Sequence, residues 1–123
     1  MLFRSDGILA NLLVLEAMAY SGKSLVDLQK EIKALAGCSF VNDRIDLKLE
    51  SRDKIKPVLD TVATLSDNKN LIDGVKVYFG DSSWVLARPS GTEPLLRIYF
   101  ESDTEENLKK LEKDIMSKID DII

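Results

Sequence analysis

From residue 88 to residue 97 the chain reads Arg-Pro-Ser-Gly-Thr-Glu-Pro-Leu-Leu-Arg, a set of residue types able to bind an anion. Arg88 supplies a planar, permanently charged fork that matches phosphate oxygens two at a time. Ser90 and Thr92 present hydroxyls, and Gly91 opens torsions closed to other residues and lets a ligand approach the main chain. Pro89 and Pro94 lack amides and fix φ, so each ends strand pairing and stiffens the stretch between them. The amides from Ser90 to Glu93 then have no expected ladder partners, and a run of free amides forms an anion-binding nest. Arg97 follows on a predicted strand, close enough in sequence to face the same ligand. These are also ordinary turn residues. A rigid hairpin loop that satisfies its own backbone, with Arg88 merely solvated, is the other use of the same sequence.

Little else in the chain invites chemistry. The absence of histidine removes Ser-His-Asp and Cys-His constellations and most zinc sites. Cys38 is the only cysteine, so no internal disulfide forms, which suits a reducing cytoplasm. With no base nearby it is expected to be an inert, half-buried thiol. The acidic run Glu101, Asp103, Glu105 and Glu106 lacks metal-loop spacing and fits carboxylates at a helix start. Trp84, Tyr78 and Phe79 could form a sugar-stacking platform, but their alternating placement favours packing in or on a sheet. A net charge of −4 argues against nucleic acid and against an anionic membrane surface as partners. Any anion must therefore be held by local donors rather than by the overall field. The start of the chain shows no basic segment followed by a cleavable apolar stretch, so no export signal is expected.

The elements that position the loop are readable from periodicity. Residues Ile8 to Tyr20 read ILANLLVLEAMAY, in which Asn11 and Glu16 are the strongly polar positions. Ser5 or Asp6 suits its start and Gly22 its end. A helix apolar on all sides must be buried on all sides, and this one falls short of the roughly 20 residues a bilayer needs. The expectation is a helix belonging to a neighbouring domain. A second helix is predicted from a Ser24 cap, with Leu25, Leu28, Ile32 and Leu35 on one face and Gly37 at its end. Gly37 to Asn42 reads as a linker or the entry to a strand. Ile45, Leu47 and Leu49 then alternate as a half-buried strand. Ser51 opens a helical pattern bearing Ile55, Val58, Leu59, Val62 and Leu65, with Pro57 tolerable near its start or at a kink. Val75, Val77 and Phe79 form the next strand, Gly80-Asp81 a turn, and Trp84 to Ala87 another strand. Leu96, Ile98 and Phe100 form the last. An amphipathic helix carrying Leu108, Leu111, Ile115, Ile119 and Ile122 closes the chain, with Asp103 and Glu106 as a capping-box start. The result is an α+β fold, a mostly antiparallel four-stranded sheet with helices on one face, preceded by an N-terminal helical segment.

Arg88 to Arg97 resembles the phosphate-binding loop signature of the alpha-D-phosphohexomutases, the phosphoglucomutases and phosphomannomutases. Asp6-Gly7-Ile8-Leu9-Ala10, the Leu-rich helix and Gly22-Lys23-Ser24-Leu25 resemble the stretch that closes that family's third domain. The resemblance implies residues 1–37 as the helical tail of the third domain with its linker, and 38–123 as a C-terminal phosphosugar-binding domain. It also implies a domain shaped like half of a TATA-binding protein, a kinship of architecture and not of DNA binding. The implied activity is intramolecular phosphoryl transfer in a cytoplasmic enzyme. A phosphoserine of the first domain phosphorylates a hexose phosphate, and the bisphosphorylated sugar turns around and returns its other phosphate. Arg88, Ser90, Gly91 and Thr92 carry over as the grip on the phosphate that is not transferred, and Arg97 as an additional contact. Glu93 matches too, as a residue that shapes the loop.

The same resemblance places Mg2+ on aspartates of the second domain, outside this chain. No catalytic-serine segment, no Asp-Gly-Asp-x-Asp metal loop and no sugar-discriminating motif is found in the sequence. The chain alone is therefore expected to be inactive, with the missing catalytic domains and a hexose phosphate as its partners. Whether the sugar is glucose, mannose or glucosamine stays open. A free-standing anion-binding or protein-interaction module is the rival reading.

Overall fold

The structure, a computed structural model, describes residues 7–80 and 82–123. Ser5 and Asp6, the expected caps of the first helix, and Asp81 of the expected turn lie outside these residues. The chain divides into two units, residues 1–39 and residues 40–123.

The first unit holds α1 (Gly7–Ser21) and α2 (Leu25–Ala36). Gly22, at φ +66°, follows α1 and donates its amide to the Met18 carbonyl, as a left-handed C-terminal residue does. Ser24 has extended backbone, and its hydroxyl accepts the Asp27 amide to cap α2. Gly37, at φ +67°, ends α2 on the Lys33 carbonyl. Neither helix buries a residue. Ile8, Leu12, Leu13 and Leu15 of α1 are each more than half exposed.

The second unit runs β1 (Val41–Lys48), a 3₁₀ turn (Arg52–Lys54), α3 (Ile55–Ala63), β2 (Lys69–Asn70), β3 (Val75–Tyr78), β4 (Trp84–Pro89), β5 (Leu95–Ser102) and α4 (Glu105–Asp120). The strands form one antiparallel sheet in the order β1-β5-β4-β3-β2. Side chains alternate across it. Val75, Val77, Val85, Ala87, Leu96, Ile98 and Phe100 enter the core, where they meet Val58 and Val62 of α3 and Leu108, Ile115 and Ile119 of α4. Both helices therefore cover the same face. Each large core side chain contributes roughly 2 kcal/mol on being taken from water, so this shared face fixes which way every strand is turned. Lys76, Trp84, Leu86, Arg88, Arg97 and Tyr99 fall on the alternate positions, opposite the core.

The α+β architecture with helices on one face is as expected, while the details differ in four places. The sheet has five strands, not four. The additional β2 is two residues long and fully polar, paired through Lys69↔Val77 and Asn70↔Lys76, so it carries no hydrophobic alternation to read. Strand β1 begins at Val41, earlier than the Ile45 alternation indicates, because Val41 to Arg44 pair with Tyr99 to Ser102. Thr104, rather than Asp103, caps α4, accepting the Asn107 amide, while Asp103 accepts from the Asn107 side chain. Those hydrogen bonds, the Asn107 one foremost, hold the Asp103 carboxyl below its ordinary range. Cys38 is exposed rather than half-buried. Pro57 sits in the first turn of α3, where a missing amide leaves no carbonyl unserved.

An expectation follows for the boundary between the units. A chain shortened to begin at Cys38 retains the whole of the second unit's core and sheds the exposed apolar surface of α1. It is expected to unfold in a single cooperative urea transition and to stay monomeric by sedimentation. Loss of the cooperative transition would show that the first unit contributes to that core.

Candidate functional site

Of the Arg-Pro-Ser-Gly-Thr-Glu-Pro sequence, Arg88 and Pro89 end β4, and Ser90 to Pro94 form the loop that joins it to β5. Their register sets Arg88 directly opposite Arg97 and Pro89 opposite Leu96. Ala87, Leu96 and Ile98 are buried, so alternation sends both arginines to the opposite face. Directly opposed residues have Cβ atoms about 5 Å apart, and like charges at that spacing repel. Two carboxylates flank the pair. Asp73 Oδ2 lies 3.2 Å from Arg88 Nε. Asp46 on β1 is the register partner of Arg97 and forms an ion pair with Arg44 at 3.0 Å. Among the described residues, Nη1 and Nη2 at the end of the Arg88 fork donate no hydrogen bond to the protein.

The loop itself is held through its carbonyls. The Ser90 amide donates to the Leu95 carbonyl at 2.8 Å, which closes the hairpin. The Leu49 amide donates to the Pro94 carbonyl at 2.9 Å. Arg52 Nη2 donates to the Gly91 carbonyl at 2.7 Å and lies 3.4 Å from that of Ser90. The amides of Gly91, Thr92 and Glu93, by contrast, find no acceptor among the described residues. Ser90 is only 9% exposed, yet its hydroxyl bonds no described residue and is not sealed from solvent. Thr92 is exposed. A Cβ added at Gly91 would meet nothing within 4 Å. Gly91 also lies outside the left-handed region, so its torsions are open to other residues, contrary to the expectation from sequence. Its use is the bare approach it gives to the main chain.

Ser90, Gly91 and Thr92 thus share one loop, with Arg88 near the end of β4 and Arg97 opposite it on β5, both on the face away from the core. Unpaired amides, two hydroxyls and a free guanidinium edge form a site suited to a tetrahedral oxyanion. Two residues of the surroundings were not singled out from sequence. Asp73 had a weak signal, the Asp-Gly turn ahead of β3; Arg52 had none.

The aromatic residues do something else. Trp84 and Tyr78 lie on the face away from the core, but Lys76 Nζ sits 3.6 Å from the Trp84 ring centroid and 5.0 Å from that of Tyr78. Trp84 Nε1 donates to Glu101 at 2.7 Å. One face of the indole is therefore covered by a cation, and Phe79 packs on the core. Among the described residues no cluster of acidic, histidine or cysteine side chains could hold a metal ion.

Fold and loop together define an α+β domain whose β4–β5 hairpin presents unpaired amides and hydroxyls beside two arginines. Comparison with known proteins carries this further. Residues 42–118 match the family model for the phosphoglucomutase/phosphomannomutase C-terminal domain. The chain is 35% identical over 124 residues to a probable phosphoglucosamine mutase of Methanothermobacter thermautotrophicus, across 96% of this chain and 26% of that protein. It is 32% identical over 112 residues to a probable phosphoglucosamine mutase of Methanosphaera stadtmanae, across 88% of this chain and 24% of that protein. A solved phosphoglucomutase/phosphomannomutase family protein from Burkholderia thailandensis aligns with 66% of this chain and 17% of its own, at 26% identity and a TM-score of 0.49. The chain belongs to the phosphoglucomutase/phosphomannomutase family, as its C-terminal domain. It spans about a quarter of the length of the curated relatives it matches.

The turn that carries Asp73 is braced by its neighbour. Gly74 has φ +87°, and a Cβ there would lie 2.3 Å from the Ala87 carbonyl oxygen and 3.1 Å from the Arg88 Cα. Gly74→Ala is therefore expected to cost about 2 kcal/mol or more, by forcing a left-handed alanine and a clash with the backbone of β4. Urea unfolding of the variant measures this. An unchanged midpoint would mean that the turn does not press on β4 as described.

Proposed function

We propose that Arg88, Ser90, Gly91 and Thr92, with Arg97 beside them, hold the phosphate that is not transferred while a full-length mutase works at the other end of a hexose phosphate. The observation that carries this reading is a division at the centre of the loop: the Ser90 and Gly91 carbonyls are bonded to Arg52, while the Gly91, Thr92 and Glu93 amides find no acceptor among the described residues. A phosphate seated there accepts from the Gly91 and Thr92 amides and the Ser90 hydroxyl, and the open edge of the Arg88 fork binds two of its oxygens. Arg97 adds positive charge on the same face and offsets the doubled negative charge of the ligand. On this reading all of these donors serve the phosphate and none the sugar ring. The grip is therefore indifferent to which way round the sugar lies, as a reaction through a bisphosphorylated intermediate requires. Binding energy from this remote phosphate positions the reacting end.

The chemical step itself lies outside these residues. The chain has no phosphoryl-donor serine segment, and among the described residues no group of acidic side chains could hold a metal ion. The Mg2+ that the family resemblance implies does not fit this donor set, and it belongs with the catalytic part of a longer protein. The exposed apolar helix α1 fits the tail of a preceding domain that would cover it. The substrate class best supported is a glucosamine phosphate, because the similar proteins are phosphoglucosamine mutases. A cytoplasmic setting agrees with such a metabolic reaction, and no helix among the described residues is long and apolar enough to cross a membrane.

NMR titration of the chain tests the reading. Glucosamine 6-phosphate and inorganic phosphate are expected to shift Ser90, Gly91 and Thr92, with a smaller effect at Arg97. Affinity should be near millimolar, roughly −4 kcal/mol, since one open loop works against water and salt. Arg88→Ala should abolish the response, and Arg88→Lys should weaken it by removing the two-pronged geometry. Unphosphorylated glucosamine should leave the loop unmoved. Equal shifts from the free sugar, or shifts that map away from this loop, would overturn the phosphate grip.

A further inference from the structure

We infer that Arg52 is a positioning residue for this grip: its guanidinium holds the loop's carbonyls so that the loop's amides face the ligand. The inference rests on the phosphate-holding reading and adds to it a residue from outside the loop. Arg52 opens the 3₁₀ turn between β1 and α3. Its Nη2 lies 2.7 Å from the Gly91 carbonyl and 3.4 Å from the Ser90 carbonyl.

A trans peptide unit sets its C=O and N–H on opposite sides. The Ser90 carbonyl shares a peptide with the Gly91 amide, and the Gly91 carbonyl shares one with the Thr92 amide. Drawing both carbonyls toward Arg52 therefore turns both amides away from it, side by side. Successive amides pointing the same way are what an anion nest consists of. Without an anchor, a loop with glycine at its centre has many peptide orientations, and a ligand must order them at its own expense in affinity. The anchoring is not a single contact. The Leu49 amide takes the Pro94 carbonyl, so the short stretch from Leu49 to Arg52 holds the loop near both of its ends. The open space around Gly91 leaves the main chain bare for the anion.

The alternative for Arg52 is a distant cation that attracts any anion and orients nothing. Salt separates the two, because at about 1 M the Debye length falls to about 3 Å and long-range attraction is screened. Inorganic phosphate titrated into the 123-residue chain, read at the Gly91 and Thr92 amides by NMR, is the measurement. Arg52→Met is expected to bind about tenfold more weakly, the loss of one charged hydrogen bond, with Ile98 and other β5 amides unchanged. The deficit should persist at about 1 M salt. Arg52→Lys should recover part of it, since an ammonium still donates to the Gly91 carbonyl. The inference is overturned if Arg52→Met binds as the parent does, or if its deficit vanishes in high salt. Should the parent chain itself show no response at these amides, the phosphate grip fails first and this inference fails with it.

Discussion

The register of β4 on β5 is the constraint on which the site depends. Pairing Ala87 with Ile98 commits Arg88 to stand opposite Arg97, on the face the helices leave open. Neither arginine can turn inward without exposing the core residues on either side of it. The sheet therefore holds two guanidinium groups together at a spacing that costs free energy in the absence of an anion. Asp73, paired with the Nε of Arg88, moderates that cost, while Asp46, the register partner of Arg97, pairs with Arg44. A ligand phosphate, on the reading proposed, completes a charge arrangement that the strand register has already set.

The same register closes the hairpin at Ser90 and Leu95, and so leaves a short loop whose peptide units have to face one way or the other. Bonds from Leu49 and Arg52 engage the carbonyl side. The amides of Gly91, Thr92 and Glu93 are left for solvent or ligand. This ties the geometry of a distant segment, the end of β1, to the direction in which the loop's donors point. Stiffness in the loop then comes from its proline termini together with anchoring by a neighbouring element, while glycine supplies access.

Much of this was legible in the sequence, for identifiable reasons. The alternation of Val75, Val77 and of Leu96, Ile98, Phe100 gave away the strands because one face of each is buried. Ser24 and Gly37 marked the limits of α2 through local capping chemistry that needs no tertiary context. Strand β2 was hidden because Lys69 and Asn70 pair through the backbone alone. Asp73 and Arg52 were hidden for a different reason: their partners lie on strands and loops remote in sequence, and an exposed charge carries no periodic signature. Of the two properties expected of Gly91, special torsions are absent, since it lies outside the left-handed region, while open space at its main chain is present.

The central claim is that the anion seats on the outward amides of the loop, between those donors and the Arg88 fork. A crystal structure of the chain grown with inorganic phosphate tests it most directly. The account predicts a phosphate within hydrogen-bond distance, about 3 Å, of the Gly91 and Thr92 nitrogens and of the Arg88 guanidinium, with Arg52 still on the Gly91 carbonyl. A phosphate bound only by side chains elsewhere, or a loop that turns its carbonyls outward and its amides toward Arg52, would contradict it.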